Sequence, residues 1–228
     1  NSNQYGSFFL GSDETIPTLL SVLKWQDYPT DSRTSAERFI LSCLLWEQLF
    51  WARLPQMDQL QLLALNDHQA LLQHLKQPDD LDEFTIFALL IGQIRGFYLT
   101  HEQLVTIKNW LNQQNQTSFN LYLNSLLGQF IAVEEKSVVE LKNLWSNSDS
   151  ADRIWLIPLF PKPDPEFLAE INLWARNSAL SQTQKGQLLM TIQDTKGTIN
   201  TSHRLYRQLE QQSFWELVGA IHHLSRIP

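Results

Sequence analysis

Residues 100–132 read THEQLVTIKNWLNQQNQTSFNLYLNSLLGQFIA, and two helices are legible in them. Thr100 stands three residues before Gln103, the spacing of a capping box, in which each side chain satisfies a backbone amide left free at a helix start. Leu104, Ile107 and Leu111 then recur at intervals of three and four, as do Phe119, Tyr122, Leu126 and Phe130 in the next segment. Such intervals place each set on one face of a 3.6-residue helix, whereas a strand requires alternation of two. Helices over 101–114 and 118–132, joined by a short polar turn, follow from the pattern.

The same reading extends in both directions. Upstream it predicts helices over 35–54, 56–65, 67–76 and 81–96, the first opened by a Thr34 and Glu37 capping box. A shorter helix beginning near Thr15 is expected before the Tyr28-Pro29-Thr30 turn. Downstream, 135–146 completes a run whose starts near 81, 101, 118 and 135 suggest paired helices of repeat-array length. Prolines at 158, 161, 163 and 165 then interrupt the pattern, leaving a connector with one short helix around 152–157. Helices resume with Asp164 as a cap and Pro165 in the first turn. Later ones start at Ser181 with Gln184, near Thr201, and at Ser213 with Glu216.

The fold expectation is therefore all-α: a multi-helical right-handed array or compact helical-repeat-like domain of ten or eleven short helices. Its divisions are an irregular arm over 1–14, a main helical region over 15–146, a proline-rich connector over 147–165, and C-terminal helices over 166–228 packed on the main region.

Composition supports a large core. Of 228 residues 43% are hydrophobic, with eight Trp and twelve Phe, so neither disulfides nor a structural metal is needed to hold the fold. Cys43 is the one cysteine and lies in an apolar run, which makes a buried, inert thiol the expectation. The apolar-rich stretches 39–51 and 84–94 contain polar residues and are too short to span a bilayer, so they read as buried helices. No basic-then-apolar targeting segment leads the sequence, which begins at Asn1; a cytoplasmic protein or an excised or exported soluble domain is expected.

Net charge is −7, with six Lys or Arg against twelve Asp or Glu in residues 1–100 and eleven against twelve thereafter. No basic tract resembles a phosphate-binding footprint, so nucleic acid is disfavoured and a protein partner with a basic face is favoured. The sequence carries no phosphate loop, GxSxG elbow, HExxH helix or CxxC pair. Two glycosylation-pattern matches, at Asn115 and Asn200, are short enough to arise by chance.

A few residues stand out. On a helical wheel Glu47 falls among Ile40, Cys43, Trp51 and Leu54, away from polar Glu37, Arg38, Ser42, Gln48 and Arg53. A carboxylate there requires a partner, a wet pocket or an exposed position. Arg95 is one possible mate, although its head could equally snorkel into water. Gly92 and Gly96 are expected to permit close helix approach rather than to cradle phosphate. Asp79, Asp80, Asp82 and Glu83 precede a helix, where capping and dipole effects are the ordinary explanation and contact with a partner the functional one. The histidines show no ligand spacing: His68 and His74 are six apart, and adjacent His222 and His223 point about 100° apart. His222 and His223 are kept as an interaction candidate, and no metal or cofactor is expected.

Three functions compete on this reading. The leading one is a non-enzymatic helical scaffold or protein-interaction domain. The second is an enzyme using Glu47 as general acid or base and Arg95 as anion holder in an interhelical cleft. The third is a non-catalytic receptor for a small molecule or lipid.

Overall fold

The computed structural model describes residues 33–52, 57–160 and 164–176, together with residues 181, 215 and 218. Among the described residues the chain forms eight α-helices and two 3-10 turns, with no strand. The helices are α1 (Ser35–Ala52), α2 (Met57–His74), α3 (Glu83–Ile94), α4 (His101–Gln113), α5 (Ser118–Gly128), α6 (Val138–Asn147), α7 (Arg153–Leu156) and α8 (Pro165–Arg176). The 3-10 turns are Pro78–Asp80 and Ile157–Leu159. The helix expected near Thr15 and nearly all of those after residue 176 lie outside the described residues, although Trp215 and Val218 are helical, so the count of ten or eleven is not reached. None of the described helices is long and apolar enough to cross a membrane.

Capping sets most of the boundaries. The Thr34 and Glu37 box closes in both directions, with Thr34 N–H donating to Glu37 Oε2 at 2.9 Å and Glu37 N–H to Thr34 Oγ1 at 3.2 Å. The box of Thr100 with Gln103 likewise opens α4. Asp164 Oδ1 accepts from Phe167 N–H at 2.8 Å and starts α8. Several boundaries differ from the sequence reading: α3 runs Glu83–Ile94 where 81–96 was expected, and α5 ends at Gly128 where 132 was expected. The α6 helix begins at Val138 because Ser137 forms a capping box with Glu140, three residues beyond the expected start. Met57–His74 forms one helix where two, over 56–65 and 67–76, were expected, because Asn66 and Asp67 do not cap a second segment and Asp67 turns inward.

Two helices are enclosed almost all round. In α1, every residue from Phe39 to Leu45 is buried, and in α3 every residue from Thr85 to Gly92. A helix apolar on all sides belongs at the centre, and the apolar-rich stretches 39–51 and 84–94 supply those two. The α2 and α4 helices cover them with one face each, Leu60, Ala64 and Leu71 from the first, Leu104, Ile107 and Leu111 from the second. The close approach expected at Gly92 is real. A Cβ there would stand 2.7 Å from the Phe39 ring, so only glycine lets α3 lie this close to α1. Gly96 has φ +96°, and Phe97 N–H reaches Gly92 O at 2.9 Å, so it ends α3 in a left-handed turn that favours glycine.

A second, smaller hydrophobic cluster is built from Trp145, Trp174, Phe160, Phe167, Ile154, Leu156 and their neighbours. Helices α5 and α7 stand between the two clusters. Leu121 faces the small one and Tyr122, Leu123, Leu126 and Leu127 the large one; Ile154 and Leu156 face the small one and Trp155 the large one. The segment expected as a connector thus contributes a buried wall. Trp215 also enters the large cluster, its ring 5.6 Å from that of Trp155 and 6.0 Å from those of Phe84 and Phe87.

Candidate functional site

The structure distributes the singled-out residues rather than gathering them. Asp79 and Asp80 lie exposed in the 3-10 turn before α3. Asp82 is the α3 cap, its Oδ1 accepting from Thr85 N–H at 2.6 Å, and Glu83 lies in the first turn beside the helix's positive end. His222 and His223 lie outside the described residues. Glu47 belongs to α1, but its side chain is outside what is described. Arg95, half-buried at the C-cap of α3, lies close enough to Cys43 for its charge to favour the thiolate. Burial is the stronger influence on that thiol and pushes it up to about 12, which leaves Cys43 protonated and unreactive at neutral pH. Among the described residues no three His, Cys, Asp or Glu side chains are placed to share a metal ion.

The most closely built polar constellation joins α1 to α2. Arg38 holds Asp67 through two parallel contacts, Nη2 to Oδ1 at 2.7 Å and Nε to Oδ2 at 3.3 Å. The guanidinium also donates to Arg33 O at 2.6 Å and Ser35 Oγ at 3.2 Å, so the fork is well occupied. Burial nevertheless raises the Asp67 carboxyl above its ordinary value, against the lowering effect of Arg38. The next residue, His68, is stacked on Phe39 with ring centroids 5.4 Å apart and tilted against Phe97 at 5.3 Å. Its Nε2 is buried with no hydrogen-bond partner, and desolvation lowers its pKa from 6.5. An uncharged imidazole used as an aromatic spacer fits this setting.

Sequence reasoning missed this constellation, although a signal existed. Leu60, Ala64, Asp67 and Leu71 fall at helical intervals on one stripe, so a carboxylate sits on an apolar face once 57–74 is read as one helix. Splitting the segment at Asn66 hid it. Arg38 was placed with the polar side of α1, and it is half-buried instead.

A shallow depression of about 220 Å³ opens between α6 and α8, lined by Lys142, Ser146, Asp164, Glu166, Phe167 and Glu170. Lys142 is paired with Asp164 and stands 5.3 Å from the centre of the Phe167 ring. The Asp164 carboxyl is held below the usual carboxylate range, first by its bond with Lys142 and then by backbone amides. Glu170 Oε1 accepts from Trp145 Nε1 at 2.8 Å. Three carboxylates against one ammonium give this rim an acidic balance.

Large apolar side chains are also exposed on helices whose opposite faces already hold the core. On α2 these are Leu62 (60% exposed) and Leu65 (45%); on α8 they are Leu168 (45%) and Leu173 (75%). No protein-family model matches the chain, and neither a curated protein nor a solved structure matches it significantly.

Proposed function

We propose that this chain is a non-enzymatic helical scaffold whose outer helix faces bind other proteins. The observation that carries the reading is the pair of exposed leucine sets, Leu62 with Leu65 and Leu168 with Leu173. Each lies on a helix that already buries an apolar stripe, so packing among the described residues leaves these leucines uncovered, and apolar groups outside the core are the usual anchors of helix-mediated contacts. A helical-repeat-like arrangement suits the role by presenting successive outer faces. It is motivated by helix starts at Glu83, His101, Ser118 and Val138, which are 18, 17 and 20 residues apart.

The test compares proteins recovered with the intact chain, with Leu62→Asp/Leu65→Asp and with Leu168→Asp/Leu173→Asp, all three first shown to melt alike. A reproducible partner lost with one of the pairs is expected. Recovery of the same proteins by all three chains would overturn the reading.

A second reading keeps Glu47 and Arg95 as an acid–base and anion-holding pair. It is favoured by the approach of Arg95 to Cys43, one helical turn before Glu47. Glu47→Gln abolishing a measured turnover with folding intact would support it, and unchanged turnover would exclude it.

A further inference from the structure

Of the two exposed leucine sets, the one on α8 stands beside a row of charges that identifies what covers it. Phe167, Ile171 and Trp174 bury one side of α8. The other carries exposed Pro165, Leu168, Ala169 and Leu173, so the helix presents apolar side chains outside its buried stripe as well. Between these sides, towards α6, run exposed Glu166 and Glu170 one turn apart, with Asp164 at the helix start. By contrast, Leu62 and Leu65 on α2 are bordered by exposed Gln61, Asn66 and Gln69, with the single carboxylate of exposed Asp58 one turn before Leu62, so that set offers a partner less charge.

We infer that the outer face of α8, with the depression it shares with α6, is the docking site for a basic amphipathic helix of a partner protein. This rests on the interaction-domain reading and names its partner class. Leucines of the incoming helix cover Leu168, Ala169 and Leu173, while its Lys or Arg side chains reach Glu166 and Glu170 across the depression. The chain's own Lys142 demonstrates the chemistry, since its ammonium already rests against Asp164 and over the Phe167 ring. Charge argues against a second copy as the occupant. The chain carries −7 overall and this face is acidic, so two such faces would repel.

The experiment titrates the intact chain into a labelled synthetic helix with leucines at i, i+3, i+4 and i+7 flanked by lysines, read by fluorescence anisotropy. A peptide with glutamates for the lysines is the control. Micromolar binding of the basic peptide that weakens as salt shortens the Debye length is expected, with no binding of the acidic one. Leu173→Asp and Glu166→Lys should each weaken it about tenfold, as loss of an anchor or reversal of a facing charge does. Leu62→Asp/Leu65→Asp should leave it unchanged, and melting curves show that each variant is folded. Absence of binding, equal binding of both peptides, or loss of binding through the α2 pair overturns the assignment. So does a dimer in sedimentation that Leu173→Asp dissolves, since the occupant is then a second copy. A cellular partner lost only with the α2 pair leaves the interaction-domain reading standing while this site falls. A basic peptide bound at α8 with no cellular partner lost by either pair does the reverse.

Discussion

The two hydrophobic clusters are built on different plans. The larger one packs the enclosed segments 39–45 of α1 and 85–92 of α3 against one-faced neighbours, and its polar content includes the Arg38–Asp67 pair and the unpartnered His68 nitrogen. In the smaller one, aromatic bodies point inward and polar tips reach outward. Trp145 is fully buried, yet its Nε1 finds Glu170; Trp174 Nε1 finds Ser150 Oγ at 3.0 Å. The first plan puts buried polar groups at risk if a partner is removed. The second satisfies its two indole N–H groups but concentrates its stability in a few rings. Each plan predicts its own weakest point.

The largest effect belongs to Trp145→Ala. That ring meets Trp174 at 5.6 Å and Phe167 at 5.5 Å, and Arg153 stacks over it at 5.3 Å, so truncation empties the centre of the smaller cluster. A loss of about 3–5 kcal/mol is expected. Amide exchange should accelerate across 138–176 before it does in α1 and α3; equal acceleration in both would show that the two clusters are one cooperative unit. Next comes Arg38→Met, which strands the Asp67 carboxylate where its side chain is only 10% exposed. Removing one partner of a buried pair typically costs about 3 kcal/mol or slightly more. Denaturant unfolding of Arg38→Met/Asp67→Asn should recover part of it, because the stranded charge is gone. A double variant no more stable than the single one would deny that the pair matters through its charge. Smaller again is Gly92→Ala, where the Phe39 ring is blocked from retreating by His68 and Phe97. Overpacking costs about 1–3 kcal/mol, of which the better helix propensity of alanine returns up to about 1 kcal/mol. A net rise in thermal midpoint would mean that α1 and α3 separate without penalty.

What the sequence disclosed follows the same division. Caps and periodicity are local, so Thr34 with Glu37, Thr100 with Gln103, and the Leu104, Ile107 and Leu111 stripe were all legible. Enclosure of α1 and α3 was legible too, from apolar runs too short for a membrane. The Arg38–Asp67 pair was not, because its partners are 29 residues apart and a mistaken break at Asn66 removed the stripe that exposes Asp67 as an intruder. Proline spacing marked 147–165 as a connector, but proline content carries no information about which neighbours Ile154, Trp155 and Leu156 will meet. The depression at α6 and α8 depends on Lys142 meeting Asp164 from 22 residues away, and no helical wheel contains that contact.

The subtlest difference between the clusters is their response to acid. His68 has its pKa lowered in the folded protein by desolvation, so below about pH 6.5 the unfolded chain takes up a proton that the folded one resists. Stability from this group is therefore complete above that pH and declines as pH falls towards the folded value. Asp67 works in the opposite sense and lower down. Its folded pKa is raised above 3.8, so between those values the folded protein holds the extra proton and acidification is stabilising. The two together predict a loss of stability on entering the mildly acidic range, partly offset at lower pH. Urea midpoints measured between neutral pH and about pH 5, where histidine titrates, should show the first slope. His68→Phe, which keeps an aromatic ring between Phe39 and Phe97 but cannot take a proton, should flatten it. No histidine occurs between residues 102 and 202, so amide exchange in α6 and α8 should stay level across this range while α1 and α2 loosen. A slope that survives His68→Phe unchanged would place the acid sensitivity elsewhere and remove the buried imidazole as the distinguishing weakness of the larger cluster.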